Sequence, residues 1–268
     1  MSHYSDIGFK FKNVEKLKKN ISKILSDKKL PSMFWNIDDG LGEDNPELHM
    51  KTIGDIRYFC KVGKNGIEYL CPAHNNERIS NADIVYSTTE KNSETGFFKV
   101  EMFRQKEDFP TVKVIKNDIP FWFCCPNCEI FYDDTTDNSK DSLKICSFAN
   151  YVQVKDPTEI GKPLSLDELN QKRRSGELGF ADESYIASFG EDKSIGFVSG
   201  IIRKAEILKN QWTKKKYYAV NVDCLGLYFK MLIDPQLIKF KELQVGKVLF
   251  GEFWNVAIMV AFNHPDYF

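Results

Sequence analysis

The stretch KYYAVNVDCLGLYFKMLIDP, residues 216–235, decides how this chain folds. Tyr218, Val220, Val222 and Cys224 alternate with polar Asn221 and Asp223. After Gly226 the same period resumes in Leu227, Phe229, Met231 and Ile233, up to the Asp234-Pro235 turn. A period of two puts every second side chain on one face of a strand, so both runs read as strands with one buried side. Working outward, Ile195, Phe197, Ile201 and Ile207 share one parity ahead of a polar loop, Asn210-Gln211-Trp212-Thr213-Lys214-Lys215-Lys216. Beyond the turn, Val248, Phe250, Trp254, Val256 and Ile258 read as a closing strand, with Gly251 placed for a bulge. Five or so such strands, with glycines where curvature is strong, predict a small all-β barrel of OB-like type over residues 183–268.

The preceding residues predict a different unit, an α+β domain over residues 1–155. Ile7, Phe9 and Phe11 suit a short strand. Asn13 then caps a helix whose apolar positions are Val14, Leu17, Ile21, Ile24 and Leu25, with lysines between them on the solvated side. An acidic loop, Asp38-Asp39-Gly40-Leu41-Gly42-Glu43-Asp44, lacks the ligand alternation of a calcium-binding loop and reads as hydrated. Ile56, Tyr58 and Cys60 lead into Gly63-Lys64-Asn65-Gly66, and Ile67, Tyr69 and Cys71 return, which predicts a hairpin. Further strands are expected over residues 97–102, 112–115, 119–124 and 143–154. Residues 156–182 read as a linker with one short helix, opened by a Ser165/Glu168 capping box.

Composition bounds the function. The chain has 268 residues with 37 Lys and Arg against 38 Asp and Glu, so nucleic acid does not coat it wholesale. No apolar run reaches the ~20 residues of a membrane helix, and the first residues show no signal-peptide pattern, so the expectation is a cytoplasmic protein with no membrane partner. Seven scattered cysteines in such a chain are expected to be reduced.

Both ends carry a resemblance. The opening Met1-Ser2-His3 with Ile7-Gly8-Phe9, and later Phe180-Ala181-Asp182-Glu183-Ser184-Tyr185-Ile186, Phe197-Val198-Ser199-Gly200, Lys216-Tyr217-Tyr218, Asp234-Pro235 and Gly251-Glu252-Phe253-Trp254, resemble a group of uncharacterised bacterial proteins. The likeness spans the first fifteen residues or so and the last ninety. It implies a bacterial, cytosolic, two-part protein and no particular reaction.

The sharpest chemical constellation is Cys125-Pro126-Asn127-Cys128, with Cys71-Pro72-Ala73-His74 at the same spacing upstream. Cys71, His74, Cys125 and Cys128 would complete a tetrahedral Cys₃His structural zinc site. The competing reading is buried thiols acting as small apolar side chains, and it accounts for Cys124 as readily. No other cofactor is indicated. No nucleophile elbow, Walker loop or H-E-x-x-H motif is present, and the four histidines His3, His49, His74 and His264 are isolated, so no enzyme is expected.

Residues 191–268 hold eleven Lys and Arg against eight Asp and Glu. Trp212, Lys214, Lys215, Lys216 and Tyr217 form a candidate ligand-binding loop, with rings to stack on bases and lysines to follow phosphates. A soluble hairpin tip is the plainer reading. The leading expectation is a non-catalytic protein with a protein partner, and the second is single-stranded nucleic-acid binding. Phe253 and Trp254 must face opposite sides, one into the core and the other toward a partner or the N-terminal domain.

Overall fold

The computed structural model describes residues 14–26, 32–36, 47–64, 66–75, 80–81, 85–86, 99–103, 111–116, 119–126, 142–160, 165, 168, 171, 184–188 and 194–260. Helix α1 (Val14–Ser26) buries Ile21 and Ile24 completely, while Lys19 and Lys23 are exposed, as its apolar spacing predicts. Four strands follow as an antiparallel meander: β1 (Ser32–Asn36), β2 (Glu47–Ile53), β3 (Ile56–Gly63) and β4 (Gly66–His74). The hairpin expected at Gly63 to Gly66 joins β3 to β4, and Gly66 adopts the positive φ that such a turn favours.

Short strands β5 (Ser80–Asn81), β6 (Val85–Tyr86), β7 (Lys99–Phe103), β8 (Thr111–Lys116) and β9 (Ile119–Cys124) belong to a second, larger sheet. The same sheet contains β10 (Ser142–Lys155), β11 (Tyr185–Ser188), β12 (Ile195–Lys209), β13 (Lys216–Cys224), β14 (Leu227–Ile233) and β15 (Val248–Val260). The chain is mostly β, and α1 is the helix described in full.

Five of these strands close a barrel. β12, β13 and β14 run antiparallel in succession. β14 pairs in parallel with β10, from Ile145 opposite Phe229 to Phe148 opposite Leu232. β10 is antiparallel to β15, and β15 returns to β12 over Ile195 to Ile201. The barrel the sequence predicts is therefore present, with a different membership. β10, assigned from sequence to the first domain, is a barrel strand, paired with β14 and β15. The α+β unit expected over residues 1–155 is thus divided: α1 and β1 to β4 form one layer, and β6 to β9 extend the barrel's own sheet from β15.

Alternation on β13 and β14 points Val220, Val222, Cys224, Leu227, Phe229, Met231 and Ile233 into the barrel, as read from sequence. On β12 and β15 the inward parity is the other one. Val198, Ile202, Leu249, Phe253 and Ala257 face inward, while Phe197, Val248 and Phe250 form a small cluster outside, where the Phe197 and Phe250 rings stack at 5.6 Å. A register shift between Ile202 and Lys204 reverses the parity of β12, so Ala205 and Ile207 stand opposite Val220 and Tyr218, and Ile207, near the hairpin end of the strand, is 45% exposed. Burying each large apolar side chain is worth about 1.5–3 kcal/mol, so this interior dominates stability.

The bulge expected at Gly251 falls on the facing strand instead, where Asn150 of β10 is the extra residue. The register of β10 against β15 shifts between Ala149 and Tyr151, and a Cβ on Gly251 would collide with the Tyr151 carbonyl oxygen. One polar knot sits among the inward positions: Ser147 Oγ donates to Asn255 Oδ1 at 2.7 Å, and the Asn255 amide nitrogen donates to the Ser194 carbonyl. The connection from β14 to β15 places Ile238 and Leu243 against the barrel core, with Phe240 packed beside them.

A second core fills the layer between the meander and the outside of the barrel. Ile21, Ile24, Leu48, Tyr58, Phe59 and Cys71 meet Cys124, Cys146, Phe148, Tyr217, Leu232 and Val256 there. Phe253 is barrel interior, whereas Trp254 packs against Phe148 at 5.3 Å in this layer, so the barrel core accounts for one aromatic and packing under the meander for the other. Among the described residues no helix is long and apolar enough to cross a membrane.

Candidate functional site

Chemistry-bearing side chains concentrate in the layer between meander and barrel. Across the outside of the barrel, Lys230, Cys146, Val256 and Cys124 stand in one lateral row on β14, β10, β15 and β9. The end of β4 lies over this row. The His74 backbone N–H donates to Cys146 Sγ at 3.3 Å, and Cys71 Sγ lies 3.8 Å from Cys124 Sγ.

The structure divides the predicted zinc ligands. Cys71 is in this layer, but Cys125, one residue past Cys124 on the alternating chain, belongs to the barrel interior. Cys128 lies outside the described residues. Among the described residues no group of three or more Cys, His, Asp and Glu side chains is arranged to hold a metal ion. The neighbour of Cys71 is Cys124, the thiol that the zinc pattern left unused. Burial raises the Cys71 thiol well above its usual range and pushes Cys146 up to about 12, so both are protonated thiols at neutral pH.

His74 is 4% exposed, and neither ring nitrogen has a hydrogen-bond partner. Its ring meets Tyr217 edge-on at 6.5 Å. Burial first, and then the positive charge of Lys230, push its pKa down to about 3, so the imidazole is neutral. Lys230 is itself buried and donates to Glu206 Oε1 at 2.9 Å, an ion pair that Lys204 shares from the solvent side.

Two further buried cations lie nearby. Arg57 on β3 stands opposite Ala73 of β4, and its Nε is buried without a partner. Lys144 on β10 donates to Asn75 Oδ1 at 3.2 Å, and the Asn75 backbone N–H holds the Asp55 carbonyl at 2.7 Å. Burial lowers the pKa of both cations, and the charge of Arg57 lowers that of Lys144 further. Sequence reading missed both residues. The available signal was a cation interrupting an apolar strand, Arg57 between Ile56 and Tyr58 and Lys144 between Leu143 and Ile145.

The predicted ligand loop is organised differently from its sequence reading. Lys214, Lys215 and Lys216 are exposed, but Tyr217 is buried in the layer core and Trp212 packs against it. Asn210 shapes the loop, accepting from the backbone N–H groups of Trp212 and Thr213 and donating to the Tyr58 hydroxyl at 3.3 Å. The turn at Gly54 touches Gln211 closely enough that a Cβ at Gly54 would collide with it. The loop is thus docked on the meander, and the ring at 217 is not available for stacking on a base.

A third feature is a cleft of about 460 Å³ beside β10, between Val152, Gln153 and Val154 on one side and residues 235–239 on the other. Gln153 Nε2 is buried without a partner, and Leu237 is 38% exposed. Compared with protein-family models, curated proteins and solved structures, the chain matches none.

Proposed function

We propose that the chain is a non-catalytic, cytosolic binding protein that takes an extended segment of a partner protein along β10. The observation that carries this is the edge of that strand. Pairing with β14 stops at Phe148, whereas the ladder to β15 runs on to Lys155, so the opposite edge over residues 149–155 has no strand partner among the described residues. The cleft lies along that edge, with the unpartnered Gln153 amide nitrogen and the Leu237 side chain in its walls. An open edge offers main-chain hydrogen bonds to an added strand, and an adjoining pocket selects its side chains.

The ring order supports an OB-like reading of the barrel. Counting β12, β13, β14, β15 and β10 as strands one to five, the cyclic order is 1-2-3-5-4 with strands three and five parallel. That is the OB order with its last strand moved to the front of the chain. OB barrels commonly bind ligands across strands two and three. Here Tyr217, Ala219 and Leu232 of those strands belong to the buried layer under the meander, which favours a partner elsewhere, at the β10 edge.

Panning a random peptide library on the intact chain tests this reading. Enriched peptides are expected to lose about tenfold in affinity against Leu237→Asp or Gln153→Ala. Peptides indifferent to both changes refute the site.

The second reading, single-stranded nucleic acid, rests on the exposed cations Arg203, Lys204, Lys209, Lys214, Lys215 and Lys216 of the β12–β13 hairpin. Without the Tyr217 ring it would depend on phosphate contacts alone. Binding to a short oligonucleotide would then vanish steeply with salt. No binding at low ionic strength rejects it.

A further inference from the structure

Beyond partner binding, the layer between meander and barrel holds positive charge that nothing in the described structure neutralises. Arg57 is 8% exposed and Lys144 is 9% exposed, and among the described residues no carboxylate pairs with either. Among the described residues the hydrogen-bond partner of Lys144 is a neutral amide oxygen, that of Asn75. Lys230 shows the contrast, since it is equally buried in the same layer but has Glu206 at 2.9 Å. Burying a cation without a counter-charge is costly, and a protein that keeps two such cations together gains most when an anion joins them.

We propose that Arg57, Lys144 and Asn75 form a binding site for one tetrahedral oxyanion, a phosphate or sulfate group. Arg57 contributes a planar donor fork, suited to two oxygens at once, including the Nε–H that is otherwise orphaned. Lys144 contributes a point charge on the facing barrel strand. Asn75 accepts from Lys144 through Oδ1, which leaves its amide N–H₂ as a donor to the anion. Asn75 is itself held by its backbone bond to Asp55, so the site is positioned by the β3–β4 pair on one side and by β10 on the other. Mutual repulsion between the two cations already lowers the proton affinity of Lys144, and a bound dianion would reverse that. The same site takes either the free ion or the terminal phosphate of a small molecule.

Thermal unfolding of the full chain, in phosphate against sodium chloride of equal ionic strength, tests the site. Phosphate or sulfate at ~10 mM is expected to raise Tm by about 2–4 °C, and chloride to leave it unchanged. Arg57→Met and Lys144→Met should each abolish the shift while melting no lower than the wild type in chloride, because each removes an unpaired charge. Should one variant fail to fold, the other gives the same reading. A wild-type Tm indifferent to both anions overturns the proposal, as does a shift that persists in either variant. Among responsive proteins, phenyl phosphate separates the sources: a shift equal to that of inorganic phosphate assigns the site to phosphorylated small molecules, and no shift assigns it to the free ion. Either outcome leaves the peptide reading of the β10 edge standing, since the two sites share no residue.

Discussion

The barrel interior and the layer outside it are both buried, yet they are filled by different chemistry. Inside, Val220, Val222, Phe229, Met231, Leu249 and Phe253 leave room for one fully bonded polar knot at Ser147 and Asn255. Thiols occur in both, but outside an orphaned imidazole, an unpaired guanidinium and two lysines share the space with the aromatics. Polar groups that are buried and unsatisfied lower stability. Their concentration in this layer, with Gln153 beside the β10 cleft as a further case, separates a region selected for packing from a region that can answer to pH and to ligands.

The largest expected break in that contrast is Gly251→Ala. The Tyr151 carbonyl leaves no space for a methyl group, so the β10–β15 ladder must shift, at a cost of about 4 kcal/mol in denaturant unfolding. Phe229→Ala is of similar size, at about 3–5 kcal/mol, because it opens a cavity in the barrel interior.

His74→Phe sharpens the comparison through pH. The folded ring titrates near 3, whereas the unfolded ring titrates near 6.5, so between those values the unfolded chain binds the extra proton. Stability therefore falls as the pH drops through that window, by up to about 1.4 kcal/mol per pH unit, and His74→Phe should remove this part of the slope. At pH 7 the same substitution should cost nothing or stabilise by about 1 kcal/mol, because it deletes two unsatisfied nitrogens. Equilibrium unfolding at pH 7 and pH 4.5 reads both effects. The smallest effect belongs to Lys214, Lys215 and Lys216 all changed to Ala. Stability should stay within about 0.5 kcal/mol, while any low-salt binding of single strands disappears in a filter or anisotropy assay.

Residues 216–235 were legible because Asn221, Asp223 and Lys230 mark the face opposite the apolar run, although the meander covers much of that face too. β12 and β15 were misread by one residue because stretches of both are apolar on both faces, Phe197 and Phe250 being buried outside the barrel while Val198 and Leu249 are buried inside it. The place of β10 had no local signal at all: its neighbours β14 and β15 are distant in the chain, and pairing leaves no mark on composition. The thiols were legible as a group but not in their pairing, since choosing Cys124 over Cys125 requires knowing which face of β9 meets β4. Arg57 and Lys144 escaped because two single cations far apart in sequence form no motif.

The position of β10 also governs how the chain can be synthesised and cut. Asn150 bonds to Glu252, 102 positions later, so the ribosome delivers the first stave long before the stave that locks it. During that interval β10 is an apolar ribbon with both margins open, the state most prone to self-association. A fragment starting at residue 156 would lack the stave between β14 and β15 and could not close its ring, however complete the later strands look on paper.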